Sequence, residues 1–259
     1  MNNEINAIGI IPARMSSSRF PGKPLEKIHG MPMVGHCFHR SVMALGEQNV
    51  YVATCDREIF DYILSIGGNA IMTASNHTRA TGRTAEALEI IENRTNNKVD
   101  IVVMVQGDEP LIQPQSISQT LAYFCENNID IVNIMSTLET RDSFEDKNNV
   151  KVVVDCNNDA LYFSREPIPS AWINWSDFPR YMQTGIIAFR RDMLLQFNSI
   201  EETWLEKLES VDMNRILEIG GKVHMVLSDS TMIGVDVPEE LATAEDMLIG
   251  DEIMKKYLQ

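Results

Sequence analysis

The amino-acid sequence predicts an α/β fold in which a mainly parallel sheet carries helices on both faces. Two observations support this prediction: short β-rich apolar runs alternate with longer stretches of helical character, and no repeat or low-complexity tract breaks the alternation. The 259 residues are enough for one compact α/β domain or two small ones. The hydrophobic fraction of 44% is ample for a core.

The predicted elements follow one another along the whole chain. The predicted strands are Ala7 to Ile11, Val50 to Ala53, Ile101 to Val105, Ile131 to Met135 and Val150 to Val154. The predicted helices are His36 to Leu45, Ile59 to Ile66, Thr84 to Asn93, Ser116 to Glu126, Glu202 to Glu218 and Pro238 to Met247. The stretch from Pro167 to Pro179 is predicted to be a loop over a cleft. Because ligands of such sheets bind at the carboxyl ends of strands, we expect chemistry in the loops after Ile11, Val105 and Val235.

The chain is strongly acidic, with a formal net charge of −15. Such a charge repels nucleic-acid backbones and anionic membranes, so we expect no nucleic-acid partner. It also repels a nucleoside triphosphate, so a phosphate site must supply its own cations. The N-terminal apolar run is short and no basic segment precedes it, which predicts neither a signal peptide nor membrane insertion. Four widely spaced cysteines argue against a disulfide framework or a zinc site and favour a cytoplasmic location.

The loop expected after the first strand concentrates cations and hydroxyl groups. It contains Arg14, Arg19 and Lys23 together with three consecutive serines. The absence of G-x-G-x-x-G and of G-x-x-x-x-G-K-[ST] disfavours a dinucleotide site and excludes a Walker loop. Two guanidinium groups and one ammonium group can neutralise a triphosphate and the charge that develops as pyrophosphate leaves. A solvated basic loop is the alternative, but clustering of cations in so acidic a chain argues against it.

Two further segments place a carboxylate directly after an apolar run. Asp108 lies in Gln106-Gly107-Asp108-Glu109-Pro110, and Asp236 lies between Val235 and a Val-Pro-Glu-Glu sequence. Mg²⁺ typically uses one or two protein carboxylates plus substrate oxygens, so these two aspartates could share one metal ion. The alternative is that each aspartate simply caps the helix predicted after it.

Four motifs, taken in order, resemble those of the 3-deoxy-manno-octulosonate (Kdo) cytidylyltransferases: they read IPARMSSSRFPGKPL, VQGDEP, ALYFSR and IGVDVPEEL. The similarity extends from about Ala7 to about Met247. It implies a three-layer α/β/α nucleotidyltransferase fold, Rossmann-like, with a mainly parallel mixed sheet. It also implies that residues 1–259 form a single cytidylyltransferase domain, which acts as a homodimer on CTP and an acidic sugar.

The resemblance also implies a role for each matching residue. Catalysis would depend on Arg14, Lys23, Asp108 and Asp236, with Mg²⁺ held by the two aspartates. The nucleotide would be bound by Arg14, Ser17, Arg19, Lys23, Thr81 and Arg83. The sugar would be bound by Gln106, Arg165, Gln183, Ile187, Asp212 and Met213, with Arg165 paired to the sugar carboxylate. The implied reaction is in-line attack by the anomeric hydroxyl on the α-phosphorus of CTP.

The sequence departs from the family pattern at the base and at the sugar. Near the base, residues 77–83 keep only the His, Thr and Arg of the family motif. Near the sugar, Gln183, Ile187 and Met213 replace a His, a Tyr and a Gln of the family. We therefore expect an acceptor other than plain Kdo, with an apolar or differently placed substituent. The remaining histidines outside these motifs are predicted to be structural or to lie at the surface.

Three classes of function are compatible with these residues. The first is a cytidylyltransferase for Kdo or a Kdo-like acid. The second is a nucleotidyltransferase with a different base or a phosphorylated acceptor, which competition between bases would distinguish. The third is a non-catalytic sugar- or nucleotide-binding relative, which the joint retention of Arg14, Lys23, Asp108 and Asp236 disfavours because a binding module needs no pair of metal ligands.

Overall fold

The computed structural model describes residues 5–17, 19–126, 128–170, 172, 174–175, 178–230 and 234–258. The strands are β1 (Ala7–Ala13), β2 (Lys27–Ile28), β3 (Met31–Pro32), β4 (Val50–Thr54), β5 (Asn69–Met72), β6 (Ile101–Val105), β7 (Ile131–Thr137), β8 (Lys151–Val154), β9 (Ala160–Ser164), β10 (Tyr181–Arg190) and β11 (His224–Leu227). The helices are α1 (Met33–Leu45), α2 (Arg57–Ser65), α3 (Ala80–Thr95), α4 (Pro114–Glu126), α5 (Arg141–Glu145), α6 (Arg191–Ser199), α7 (Trp204–Glu209), α8 (Met213–Glu218) and α9 (Pro238–Leu248).

One mixed sheet forms the centre of the molecule. Its strand order is β11-β7-β10-β6-β1-β4-β5, and β8 pairs with both β10 and β9. The pairs of β1 with β4 and β6, of β4 with β5 and of β7 with β11 are parallel. Strand β10 runs antiparallel to β6, β7 and β8. The predicted mainly parallel mixed sheet is confirmed.

Helices cover both faces of the sheet and enclose a separate apolar cluster on each. One cluster joins the sheet to α1, α2 and α4, with Phe38, Ile63 and Phe124 among its buried side chains. The other joins the sheet to α3, α6 and α8, with Leu88 and Phe197 among its buried side chains. The predicted three-layer α/β/α architecture is therefore confirmed. Within the described residues, no helix has the length and apolar composition needed to cross a bilayer.

The order of the strands creates a crevice beside β1. From β1 the chain moves outward to β4 and β5, and it then returns past β1 to form β6 on the other side. Ligands of open α/β sheets bind outside the carboxyl ends of the strands at such a reversal of strand order. The loops that follow β1 and β6 therefore lie at the position where a ligand is expected.

Three details of the predicted elements differ from the structure. Strand β1 continues through Pro12 to Ala13, because its ladder to β6 ends at Ile10 and only β4 pairs with the last residues. The single helix predicted over 202–218 is wrong: Ser210 takes a left-handed backbone (φ 54°) and separates α7 from α8. A short strand is also expected directly before Asp236. Residues 234–236 do not form a strand, and Ile233 lies outside the described residues.

The predicted loop from Pro167 to Pro179 lies partly outside the described residues. Its described part contains neither a strand nor an α-helix.

Candidate active site

The cationic loop after β1 is folded back on itself by main-chain hydrogen bonds. The amide of Met15 donates to the Asp56 carboxylate (2.8 Å), and the amide of Gly22 donates to the Met15 carbonyl (2.9 Å). Gly22 has φ 80°, a left-handed conformation that a residue without a Cβ adopts at little cost. This turn carries Lys23 under the loop and towards the carboxyl end of β6.

Lys23 joins the two predicted metal ligands. Its Nζ donates to the Asp108 carboxylate at 2.7 Å, to the Asp236 carboxylate at 3.0 Å and to the Val235 carbonyl at 2.8 Å. Burial alone would lower the pKa of Lys23, but the carboxylates of Asp108 and Asp236 outweigh it, so the pKa is raised. Lys23 is therefore a fixed ammonium group with all three of its donors used.

Arg19 extends this charge network towards solvent. Its guanidinium lies 2.9 Å from the second carboxylate oxygen of Asp236, and it also contacts the side chain of Asn148. Arg14 points to the other side of the loop, where it donates to the His77 carbonyl at 3.2 Å. The structure thus brings Arg19, Lys23, Asp108 and Asp236 into one cluster, with Arg14 beside it.

Neither aspartate is a helix cap in this structure. The helix after Asp108, α4, begins only at Pro114, and α9 begins at Pro238 with Val237 as its N-cap. The Asp236 segment is instead anchored by Val235, whose amide donates to the Asp108 carbonyl at 2.8 Å and whose side chain is fully buried. The sequence-based alternative that both aspartates only cap helices is therefore wrong.

The donor set fits a small divalent cation. Asp108 and Asp236 direct carboxylate oxygens at one ammonium nitrogen, within 3.0 Å of it. Hard carboxylate oxygens in this number suit Mg²⁺, which completes its shell with water and substrate oxygens. Among the described residues there is no group of three or more acidic, histidine or cysteine side chains that could enclose a metal. Any ion here would need ligands from the substrate as well.

Two adjoining cavities open at this cluster, and each is named after the segment that lines it. The loop-side cavity is lined by the loop after β1 and the start of α3, including Arg14, Ser17, Arg19, Lys23 and Arg83. The strand-side cavity is lined by β10 and the segments around it, including Arg165, Gln183, Ile187 and Asp212. Gln106, Asp108 and Asp236 line both cavities. The two cavities therefore meet at the paired carboxylates.

Arg83 gives the loop-side cavity a buried cation. Its guanidinium donates to the Thr73 hydroxyl and to the Ala74 carbonyl (3.3 Å), and its Nη2 atom has no hydrogen-bond partner among the described residues. Thr81, by contrast, is fully buried and its hydroxyl donates to Asp212 at 2.5 Å. Thr81 does not line the loop-side cavity, so its position supports a role in holding Asp212 rather than in touching a nucleotide.

Arg165 lies in the strand-side cavity with much of its guanidinium already engaged. Its Nε donates to the Glu209 carbonyl (2.9 Å) and its Nη1 donates to the Lys147 carbonyl (2.9 Å). Its own amide donates to the Glu209 carboxylate at 2.8 Å. These bonds hold the side chain in place at the cavity wall.

The other residues predicted to bind the sugar differ in where the structure places them. Gln183 donates from Nε2 to the buried Asn133 side chain (2.7 Å), and Ile187 is 4% exposed. Asp212 lies at the end of α8 that faces the cavity, where burial raises the pKa of its carboxyl group. Met213 is fully buried in the apolar cluster and lines neither cavity, because α8 turns its apolar face towards the sheet. A sugar contact by Met213 does not follow from this placement.

Glu109 and Gly185 are site residues that the sequence did not single out. Glu109 is 8% exposed, accepts from the Gly185 amide at 2.5 Å and lines the strand-side cavity. Burial, followed by the neighbouring Asp108, raises the pKa of Glu109 to about 8. A Cβ on Gly185 would lie 2.5 Å from the Gln106 side chain, so only glycine fits there. The signal in the sequence that could have identified Glu109 is its position directly after Asp108 in the same motif.

The fold and the site together place this chain among the α/β nucleotidyltransferases. More narrowly, the family model described as Cytidylyltransferase matches residues 8–226, and the chain belongs to this family.

Individual relatives are similar over nearly their whole length. A 3-deoxy-manno-octulosonate cytidylyltransferase of Syntrophus aciditrophicus is 38% identical over 93% of this chain and 96% of that protein. An 8-amino-3,8-dideoxy-manno-octulosonate cytidylyltransferase of Shewanella pealeana is also 38% identical, over 95% of this chain and all of that protein. The solved structure of CMP:2-keto-3-deoxy-manno-octonic acid synthetase complexed with CTP superposes with a TM-score of 0.83, at 32% identity, over 95% and 99% of the two chains.

Proposed function

We propose that this cytidylyltransferase is Mg²⁺-dependent and transfers CMP from CTP to Kdo or a Kdo-like 2-keto-3-deoxy sugar acid, with release of pyrophosphate. The observation that carries the proposal is the convergence of Lys23, Asp108 and Asp236 at the point where the two cavities meet. A site for joining two substrates needs this arrangement, since the reacting atoms must lie between them.

The loop-side cavity would bind the nucleotide. Arg14, Arg19 and the Ser17 hydroxyl would contact the triphosphate, and Lys23 would add its charge beside them, in a chain whose net charge otherwise repels anions. Because Lys23 is held by three hydrogen bonds, its charge would already be in place when negative charge builds on the leaving pyrophosphate. Arg83 also lines this cavity, near the start of α3, and adds a further positive charge there.

Asp108 and Asp236 would hold the metal ion, assisted by oxygens of the bound nucleotide. Mg²⁺ bound there would supply neutralisation of phosphate charge and a lowered pKa for a hydroxyl that it contacts. Glu109 lies directly behind Asp108 and accepts from Gly185, so it would orient the Asp108 segment rather than add a metal ligand.

The strand-side cavity would bind the acceptor acid. Arg165 would face its carboxylate, and Gln106, Gln183, Ile187 and Asp212 would contact the rest of the sugar. The anomeric oxygen would form a bond to the α-phosphorus while the bond from that phosphorus to the pyrophosphate oxygen breaks. The altered residues Gln183 and Ile187 both line this cavity, which supports an acceptor other than plain Kdo.

An amino sugar acid is the second acceptor that the cavity favours. The carboxyl groups of Asp212 and Glu240 line the strand-side cavity together with Arg165. A cavity with both signs of charge suits a ligand that carries a carboxylate and an ammonium group. The Shewanella pealeana relative is named for such a sugar.

The deciding experiment measures pyrophosphate release with CTP and a set of acids: Kdo, its 8-amino-8-deoxy analogue and the methyl ester of Kdo. We expect turnover of the free acids, a higher kcat/KM for the analogue than for Kdo, and little turnover of the ester. If Kdo is turned over more efficiently than every other acid tested, the proposal of an acceptor other than plain Kdo is refuted. Equal use of UTP or ATP would refute the choice of CTP.

We propose that the enzyme acts in the cytoplasm as a homodimer. The four cysteines are all free in the structure, which is compatible with a reducing compartment, and the family resemblance implies the dimer. Light scattering on the purified chain tests the dimer, and cell fractionation tests the location.

A further inference from the structure

Lys151, in β8, is a wholly buried lysine that makes no ion pair among the described residues. Its side chain is 0% exposed. Its Nζ donates to three main-chain carbonyls: those of Asp146 (2.8 Å), Asn149 (2.7 Å) and Arg165 (2.6 Å). Burying an ammonium group is costly unless all of its donors are used, and here three donors meet three acceptors.

The three carbonyls come from two segments that are separated in the sequence. Asp146 and Asn149 belong to the turn before β8, whereas Arg165 follows β9, and Lys151 itself pairs with Ser164 across the two strands. The ammonium group therefore ties the turn to the segment that carries Arg165.

The same turn supplies the acceptors for one nitrogen of the Arg165 guanidinium. Its Nη1 donates to the Lys147 carbonyl at 2.9 Å, and the Asn148 carbonyl lies 3.5 Å from that atom. Asn148 and Asn149 line the strand-side cavity beside Arg165, and the Asn148 side chain contacts Arg19 of the cationic loop. The turn thus contacts one cation in each cavity, but Arg19 is also held independently of the turn, by Asp236 at 2.9 Å.

We propose that Lys151 is a positioning residue for the acceptor: by binding three carbonyls it fixes the 146–149 turn and, through it, the guanidinium of Arg165. This inference rests on the proposed function, in which Arg165 binds the acceptor carboxylate. A lysine ammonium suits the position because its three N–H donors match three carbonyls that converge on one point. An aliphatic side chain would leave all three carbonyls without this donor.

The charge state of the side chain is compatible with this role. Burial lowers the pKa of Lys151 to about 8, against the opposing effects of Asp146 and Glu166. At neutral pH the ammonium form, with three N–H donors, therefore predominates.

The test compares Lys151→Met with Arg40→Met. Arg40 is also 0% exposed and donates to three partners, the Ile112 carbonyl, Asp251 and the Tyr257 hydroxyl, and it lines neither cavity. Both variants lose a buried cation, so both should have a lower Tm. We expect Lys151→Met to raise the KM for the acceptor acid about tenfold or more, while the KM for CTP changes by about twofold or less. Arg40→Met should leave both KM values close to those of the unaltered enzyme.

Two additional variants separate the possible failures. If Lys151 acts through Arg165, the double variant Lys151→Met/Arg165→Gln should have the same acceptor KM as Arg165→Gln alone. Additive effects, or a Lys151→Met enzyme with the kinetics of Arg40→Met, would overturn the inference and leave the proposed function standing. An unchanged acceptor KM in Arg165→Gln would overturn this inference and also the proposed role of Arg165 in binding the acceptor carboxylate. If Lys151→Met fails to fold, Lys151→Gln, which keeps an amide donor, should show a smaller rise in acceptor KM, and no rise would overturn the inference.

Discussion

The change Asp236→Asn tests the proposed metal site with little change in shape. Asparagine keeps an oxygen that can accept from Lys23 (3.0 Å now) and removes the charge that faces Lys23 and Arg19. The Asp236 side chain is 26% exposed, so solvent screens the charge, and Asp108 still neutralises Lys23. We therefore expect a loss of about 1 kcal/mol in the free energy of unfolding.

The expected loss of activity is larger than this loss of stability. If Asp108 and Asp236 hold the metal ion as proposed, no larger group of acidic, histidine or cysteine side chains among the described residues could replace a neutralised carboxylate. Removing such an electrostatic contribution should lower kcat by about 10² or more, which corresponds to about 2.7 kcal/mol in the activation barrier. Asp108→Asn should behave in the same way, because its carboxylate lies 2.7 Å from the same ammonium group.

Pyrophosphate release should be measured over a titration of Mg²⁺, with CTP and the acceptor acid saturating. A matched control is Asp251→Asn, since Asp251 also pairs with a buried cation, Arg40 at 2.7 Å, and its side chain is 18% exposed. We expect Asp251→Asn to lower the Tm and to leave the Mg²⁺ dependence unchanged. Near-normal activity of Asp236→Asn at limiting Mg²⁺ would refute the assignment of Asp236 as a metal ligand.

Three other predictions concern packing, pH and the nucleotide. Gly185→Ala would place a Cβ 2.5 Å from the Gln106 side chain, so urea unfolding should show a loss of about 1–3 kcal/mol; an unchanged value would contradict this. Burial lowers the pKa of His36 from 6.5 to about 4, so the unfolded chain binds the proton first and stability falls as the pH drops below 6.5. Between pH 7.5 and pH 5 the loss at this site should be about 2 kcal/mol, and His36→Asn should not show it. Arg83→Met should raise the KM for CTP about tenfold without changing the KM for the acceptor.

The sequence predicts the central parallel strands and β8, but it misses the edge strands β5 and β11 and the antiparallel strands β9 and β10. Runs such as Ile101 to Val105 are buried on both faces, and their continuous apolar character identifies them. Strand β10 contains Thr184 and Gly185 at its centre and departs from regular pairing with β7 between Gln183 and Ile187. An interrupted strand lacks both the continuous and the alternating pattern, so no periodicity in the sequence identifies it.

The sequence predicts which residues belong to the site better than it predicts the direction in which each side chain points. Lys23 and Asp108 lie in segments whose chemistry is unusual for so acidic a chain, and the structure brings them within 2.7 Å of each other. The family resemblance predicts a sugar contact for Met213, yet the helix turns this side chain into the core. A motif fixes the order of residues along the chain, whereas the rotation of a short helix depends on packing that the motif does not contain.

Lys151 illustrates the opposite limit of sequence reasoning. Its three partners are main-chain carbonyls, which every residue possesses, so no residue type marks the site of interaction in the sequence. In the sequence Lys151 occupies one position of a β-rich run, where a lysine is expected to point into solvent. Only the tertiary arrangement of the 146–149 turn and the segment after β9 distinguishes it from a surface lysine.

Together these contacts explain how an acidic chain can bind anions in its proposed cavities. The net charge of −15 opposes the approach of CTP and of a sugar acid, so attraction must come from cations at short range. Two of the cations that would perform this task are held before the substrates arrive: Lys23 by two carboxylates and a carbonyl, and Arg165 by the Glu209 carbonyl and by the Lys147 carbonyl of the turn that Lys151 would fix. Cations held in this way lose little conformational freedom on binding, so more of their attraction remains available as affinity. The carboxylates that restrain Lys23 contribute to the negative charge of the chain, and they are also the groups that would bind Mg²⁺.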